Sequence, residues 1–161
     1  MNQEPDMKTK IHAIAGVIGF LSILSFWIVT LFSEIFGTSE MIAFVKAMIL
    51  NGMFVLVPAM AVAGASGMSM GAKRSDALAV TKKKRMPIIA ANRLVILLPS
   101  AFLLEIRAGA GIFDTWFYAI QALELVAGAA NLTMMGLNIR DGLTMTGRIG
   151  TKTSVKGTDN A

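Results

Sequence analysis

Four long apolar runs, at 12–34, 41–70, 87–106 and 113–138, alternate with short polar stretches along the chain. Each reaches the roughly 20 residues that a bilayer-crossing helix needs. From His12 to Ser33 the first run carries no formal charge. The second admits only Lys46, which the pattern expects to snorkel along its aliphatic stem to the near interface. The third opens at Pro87, a favourable first-turn residue, and is interrupted by Asn92-Arg93. The fourth is closed by Asn138-Ile-Arg-Asp-Gly142. None has the solvent-facing stripe of a water-exposed helix. The pattern therefore predicts an all-α, polytopic transmembrane four-helix bundle running up-down-up-down. It forms one membrane domain over 1–142, with a basic loop at 72–86 and a flexible tail at 143–161. The first run exceeds the 7–15 apolar residues of a cleaved signal, so it reads as an uncleaved helix.

Composition agrees with a lipid solvent. Hydrophobic residues make up 55% and charged residues 16%, against about 25% charged in soluble domains. The 161 residues include no cysteine and a single histidine, His12, which removes disulfides, thiolate chemistry and multi-histidine metal centres. The net charge of +5 matters less than its placement. Twelve of the 15 Lys and Arg flank the runs on one side, and only Lys46 and Arg107 lie on the other. The positive-inside rule puts both termini and the central loop in the cytoplasm, N-in/C-in.

Intramembrane polar residues are expensive and are functional candidates by default. In the fourth run, Asp114, Phe117, Gln121, Glu124, Gly128, Asn131, Met135 and Asn138 recur at steps of three and four, so they share one face. Glu124 lies near mid-membrane and needs a partner to stay charged. Asn51, Ser100, Ser22 and Ser25 are the candidates by depth, while Arg93 is level with Asn131 rather than Glu124. Glu124, Gln121, Asn131, Asn51, Asn92 and Arg93 thus define a candidate polar site.

Asn51 and Asn92 each precede a proline by seven residues, in NGMFVLVP and NRLVILLP; an internal repeat is one account of the match, but two positions in an apolar background read first as coincidence. Pro58 and Pro99 each remove a helical hydrogen bond and predict kinks. Ala15-x-x-x-Gly19, Ala59-x-x-x-Ala63-x-x-x-Gly67 and Gly128 offer close helix contacts.

Lys73, Arg74, Lys82, Lys83, Lys84 and Arg85 read as topogenic residues that also attract anionic lipid headgroups. Glu34, Glu40, Glu105 and Asp114 form an acidic rim on the opposite side. His12 is a weak haem-ligand candidate, because a b-type haem wants two axial ligands.

Taken together, KIHAIAG, KKKRMPIIAAN and FYAIQALELVAGAANLTMMGLNIRDGLTMTGR resemble a group of small, uncharacterised bacterial four-helix inner-membrane proteins. The resemblance covers most of the chain except its tail. It implies a bacterial cytoplasmic (inner) membrane, multi-pass, and carries no catalytic residue or activity with it.

No nucleophile–base set, phosphate loop or dinucleotide fingerprint is present. The first expectation is a non-catalytic accessory or structural subunit, partnered by lipid and by other membrane subunits or further copies of itself, with no nucleic acid. The alternatives are a small transporter or proton-conducting protein built around Glu124, and a haem- or quinone-binding electron-transfer component. No cofactor is required by the sequence.

Overall fold

Almost every residue described by the computed structural model, which covers residues 7–71 and 77–145, lies in a helix. Helix α1 spans Met7–Phe36 and α2 Ser39–Gly71. The third span is continuous but composite: α3 (Ala77–Ala91), a π segment (Asn92–Leu97) and α4 (Leu98–Gly109). Helix α5, Thr115–Met145, completes the bundle. Four stretches, Met7–Phe36, Ser39–Met70, Lys84–Gly109 and Thr115–Thr144, are long and apolar enough to cross a membrane.

Two tight turns close one end, called here the turn end. Thr38 caps α2, its Oγ1 accepting from the Met41 amide at 3.3 Å. Gly37 donates its amide to Ser33 O at 2.8 Å, an approach so close that a Cβ would fall on that carbonyl. Helix α4 ends in a Schellman motif: the Ile112 amide bonds Arg107 O at 2.8 Å and the Gly111 amide bonds Ala108 O at 3.0 Å. Gly111 holds φ at 70°, the left-handed conformation this motif needs. Asp114 then caps α5, accepting from the Phe117 amide at 2.9 Å, and pairs with Arg107 across the turn. The RAGAGIFD sequence is thus a self-contained reversal.

The opposite, basic end departs from expectation. Residues 77–86 are helical rather than loop, and Pro87 lies well inside α3 instead of opening it. Lys and Arg are good helix formers, so the helix continues beyond its apolar part. Lys82, Lys83, Lys84 and Arg85 therefore sit on α3, while Lys73 and Arg74 fall outside the described residues. Helix α5 likewise runs past 138 to Met145, into the segment expected to be a tail. Asp141 is buried there and accepts from Arg85 at 2.7 Å and Arg140 at 3.2 Å, tying the last turns of α5 to α3. The remainder of the tail, 146–161, lies outside the described residues.

The spans form a ring in chain order, with α1 against α2, α2 against α4, α4 against α5 and α5 against α1. Among the described residues, the diagonal pair α2 and α5 makes no close backbone approach. Small residues set the contacts: Gly19 faces Met60, Gly67 faces Met86 and His12, and Gly128 faces Trp27. The small-residue faces expected for packing are therefore used within this bundle. Two apolar clusters stack along its axis. Ile42, Leu104, Ala108 and Phe117 fill the turn end, and Ile23, Leu56, Ile89 and Met135 fill the basic half. Large apolar side chains such as Phe54 (81% exposed) and Val95 (72%) point outward, as a lipid-facing surface allows.

Candidate functional site

The inward face of α5 is the stripe expected from sequence. Phe117, Gln121, Ala127, Gly128, Asn131, Met135 and Asp141 are buried along it, and Glu124 is largely so. A matching stripe on α2 recurs at steps of four, three and seven through Ile42, Lys46, Ile49 and Leu56. These two faces oppose each other across the bundle. Lys46 spans the gap, placing its Nζ 3.0 Å from Glu124 Oε2. Lys46 is 2% exposed, so it does not snorkel to an interface. It begins roughly 10 Å along α2 and Glu124 roughly 13 Å along α5 from the turn end, at 1.5 Å per residue, so the two are level.

The pair is surrounded by further polar groups. Gln121 Nε2 donates to the same Glu124 oxygen at 3.2 Å, while its own Oε1 is buried without a partner. Glu34 on α1 interacts electrostatically with both Lys46 and Glu124, and its Oε1 is also buried and unpartnered. Glu34 is therefore half-buried with one carboxylate oxygen turned inward, and is not a fully solvated member of an acidic rim. Asp114 is neutralised by Arg107, leaving Glu40 exposed. One turn toward the turn end, fully buried Phe117 packs with Ile42 and Leu104 and seals the polar layer.

On the other side of Glu124 lies a cavity of about 60 Å³, lined among others by Thr30, Trp27, Ile49, Leu97 and Gly128. Trp27 is held there by a bond from its Nε1 to Leu125 O at 2.9 Å. Beyond the cavity comes a second polar layer. Asn92 Nδ2 donates to Ala127 O at 2.9 Å, and Arg93 sits between Met60 and Met135, Nη1 lying 2.6 Å from Met60 Sδ. Asn131 is 0% exposed, and neither amide atom has a partner.

The local cause is the π segment. Leu98 donates its amide to Arg93 O, five residues back, in a widened turn directly before Pro99. Proline lacks the donor that the regular ladder would need at position 99, and its ring crowds the carbonyl four residues earlier. The irregularity expected at Pro99 takes this form, and it brings both Asn92 and Arg93 onto α5. Pro58 lies within an α2 that stays helical throughout.

Of the six candidate polar residues, five gather along the axis. Asn51 does not: it is exposed on the outer surface of α2. It stands five residues from Lys46, about 140° around the helix at 3.6 residues per turn, so it leaves the buried face. Asn51 and Asn92 therefore occupy unlike positions, against the repeat reading. Ser25 is exposed too, and Glu124 draws its hydrogen bonds from Lys46 and Gln121 instead of the serines. His12 links α1 to α2, its Nδ1 lying 3.0 Å from both Ala63 O and Ser66 Oγ. Among the described residues no three His, Asp or Glu side chains converge as metal ligands.

Outside the spans, the Phe117 amide and then the Arg107 guanidinium hold the Asp114 carboxyl below the usual carboxylate range. The depressed pKa fixes the sign of its pH effect: its stabilisation is present above the unfolded-state value, about 3.9, and fades as pH falls through the lower folded value. Asp114→Asn is expected to flatten the acid limb of a thermal-unfolding profile in detergent below about pH 4. An unchanged limb would remove this residue from the acid response.

These features define a four-span, all-α integral membrane protein with a polar core. The chain matches no family model, no curated protein and no solved structure.

Proposed function

We propose that the chain is a small proton-conducting or proton-coupled transport protein of the bacterial cytoplasmic membrane, with its basic end in the cytoplasm. The observation that supports this reading is the cross-bundle Lys46–Glu124 pair, which borders a cavity and keeps unpartnered acceptors on Glu34 and Gln121. A helix bundle that served only as a spacer would be better stabilised by apolar packing, since burying an ion pair incurs heavy desolvation.

In this reading Glu124 accepts a proton from cavity water, which dissolves its pair with Lys46. The freed ammonium then turns to Glu34, already within its electrostatic reach. Loss of the proton toward the opposite side restores the first pair. Gln121 orients Glu124, and the Asn92–Arg93–Asn131 layer forms the next polar station.

Proteoliposomes carrying a pH gradient and an internal pH dye test this directly. The wild-type chain is expected to dissipate the gradient, and Glu124→Gln to fall to the rate of empty vesicles. Equal rates for the two would end the proposal.

A second reading, an accessory subunit of a larger membrane complex, is favoured by Asn51. An amide on the lipid-facing surface near mid-span is best satisfied by another transmembrane chain. The particle mass in mild detergent separates the readings, because a lone monomer leaves Asn51 uncovered.

A further inference from the structure

The π segment does more than supply a polar station for protons. It delivers a guanidinium into the bundle that pairs with no carboxylate among the described residues. The described ion pairs join Lys46 to Glu124, Arg85 and Arg140 to Asp141, and Arg107 to Asp114. Arg93 has none of these carboxylates. Its Nη atoms meet only the sulfurs of Met60 and Met135, and its Nε is buried without a partner. Thioether sulfur is a weak, uncharged acceptor, so the positive charge stays uncompensated. Arg93 lies about 14 Å inside the start of its span at Lys84, far too deep for its side chain to reach water at that end.

A second group in the same layer is equally unsatisfied. Asn131 lies one turn from Ala127, which receives Asn92, and one turn from Met135, which receives Arg93. It is completely buried with both its donor and its acceptor unused. The layer thus holds the Nε–Nη2 edge of a guanidinium, covered on one side by a flexible thioether, and an idle amide at the same level of α5. That edge matches the two oxygens of a carboxylate. The cavity bordered by Leu97 and Gly128 lies about one turn away, and an ion would reach the layer from it only by displacing the Met135 thioether.

We propose that Arg93 and Asn131 bind a small free oxyanion of carboxylate type, which displaces Met135 from the guanidinium and accepts from Arg93 Nε and Asn131 Nδ2. As the anion's station, this layer names a substrate class for the proton-coupled reading, but the site exists whether or not Glu124 carries protons.

Saturation-transfer NMR with sodium acetate on the full chain in phosphatidylcholine nanodiscs reads occupancy directly. Saturable binding is expected, weakened roughly tenfold or more by Arg93→Met. Arg93→Lys is expected to weaken it as well, since an ammonium lacks the planar fork. Asn131→Leu keeps the charge and is expected to reduce affinity on its own, which covers the case in which Arg93→Met does not fold. Absence of saturable acetate binding to the wild-type chain overturns the site, as does binding unchanged in Arg93→Met or Asn131→Leu. Acetate binding that appears in lipid-free detergent but is lost in phosphatidylcholine nanodiscs also overturns it, by assigning the guanidinium to a lipid phosphate. Acetate binding that persists in Glu124→Gln separates the failure of proton conduction from the failure of this site.

Discussion

Replacing Lys46 with Met is expected to destabilise the bundle by about 3–5 kcal/mol, the usual result of stranding one partner of a buried pair. The size follows from the geometry. Lys46 is 2% exposed and donates to Glu124 at 3.0 Å, so its removal leaves a carboxylate in low dielectric with only Gln121 to solvate it. The same loss is expected from Glu124→Leu, which strands the ammonium. The double variant, Lys46→Met with Glu124→Leu, removes both charges and is expected to recover most of the stability, because apolar replacements of buried pairs are often neutral or stabilising. Unfolding in mixed micelles measures the cycle. Additive single losses would show that the two residues do not interact. The same double variant should be inactive in proton flux, which separates what the pair does for the fold from what it does in transport.

The second large effect is expected at Phe117. Its side chain is fully buried, packs among Ile42, Leu104 and Ala108, and makes an edge contact with Phe113 at a centroid distance of 4.9 Å. Phe117→Ala is expected to cost about 3–5 kcal/mol, and Phe117→Leu less than about 1.5 kcal/mol. In lipid this loss comes from dispersion contacts rather than from water exclusion, since the surrounding solvent is itself apolar. Phe117 also lies one turn above Gln121, between the polar layer and the turn end. Phe117→Ala should therefore admit water to Glu124, seen as faster deuterium exchange at Gln121 and Glu124 amides. Unchanged exchange and stability would show that this aromatic layer is not a seal.

The four spans and the α5 stripe were legible because lipid imposes two blunt requirements, length and a one-sided polar face. Gln121, Glu124, Gly128 and Asn131 satisfy the second at steps of three and four. Lys46 departs from its expected place because a lysine two turns from a helix end ordinarily reaches an interface. The available signal was its place on the stripe with Ile42, Ile49 and Leu56, which points inward on α2. Asn51 shows the opposite case: its depth matches Glu124, but it lies about 140° around α2 from that stripe. Arg93 and Asn92 acting together required a π turn, which residue preferences do not encode. The basic run read as loop because its charges mark solvation, although the same residues are good helix formers.

The tie between Lys46 and Glu124 joins two helices that are neighbours neither in sequence nor around the ring, at positions 78 residues apart. At typical synthesis rates of 5–20 residues per second, the lysine waits roughly 4–16 s before its partner is made. Throughout that interval the ammonium has only Glu34 as an acidic neighbour among the described residues and lacks its hydrogen-bonded partner, which favours a shallower position for the second helix. Arrival of the last helix allows it to settle to full depth. The bundle thus has a built-in order of assembly, and a chain truncated before Glu124 would present its membrane surveillance machinery with a helix that never comes to rest.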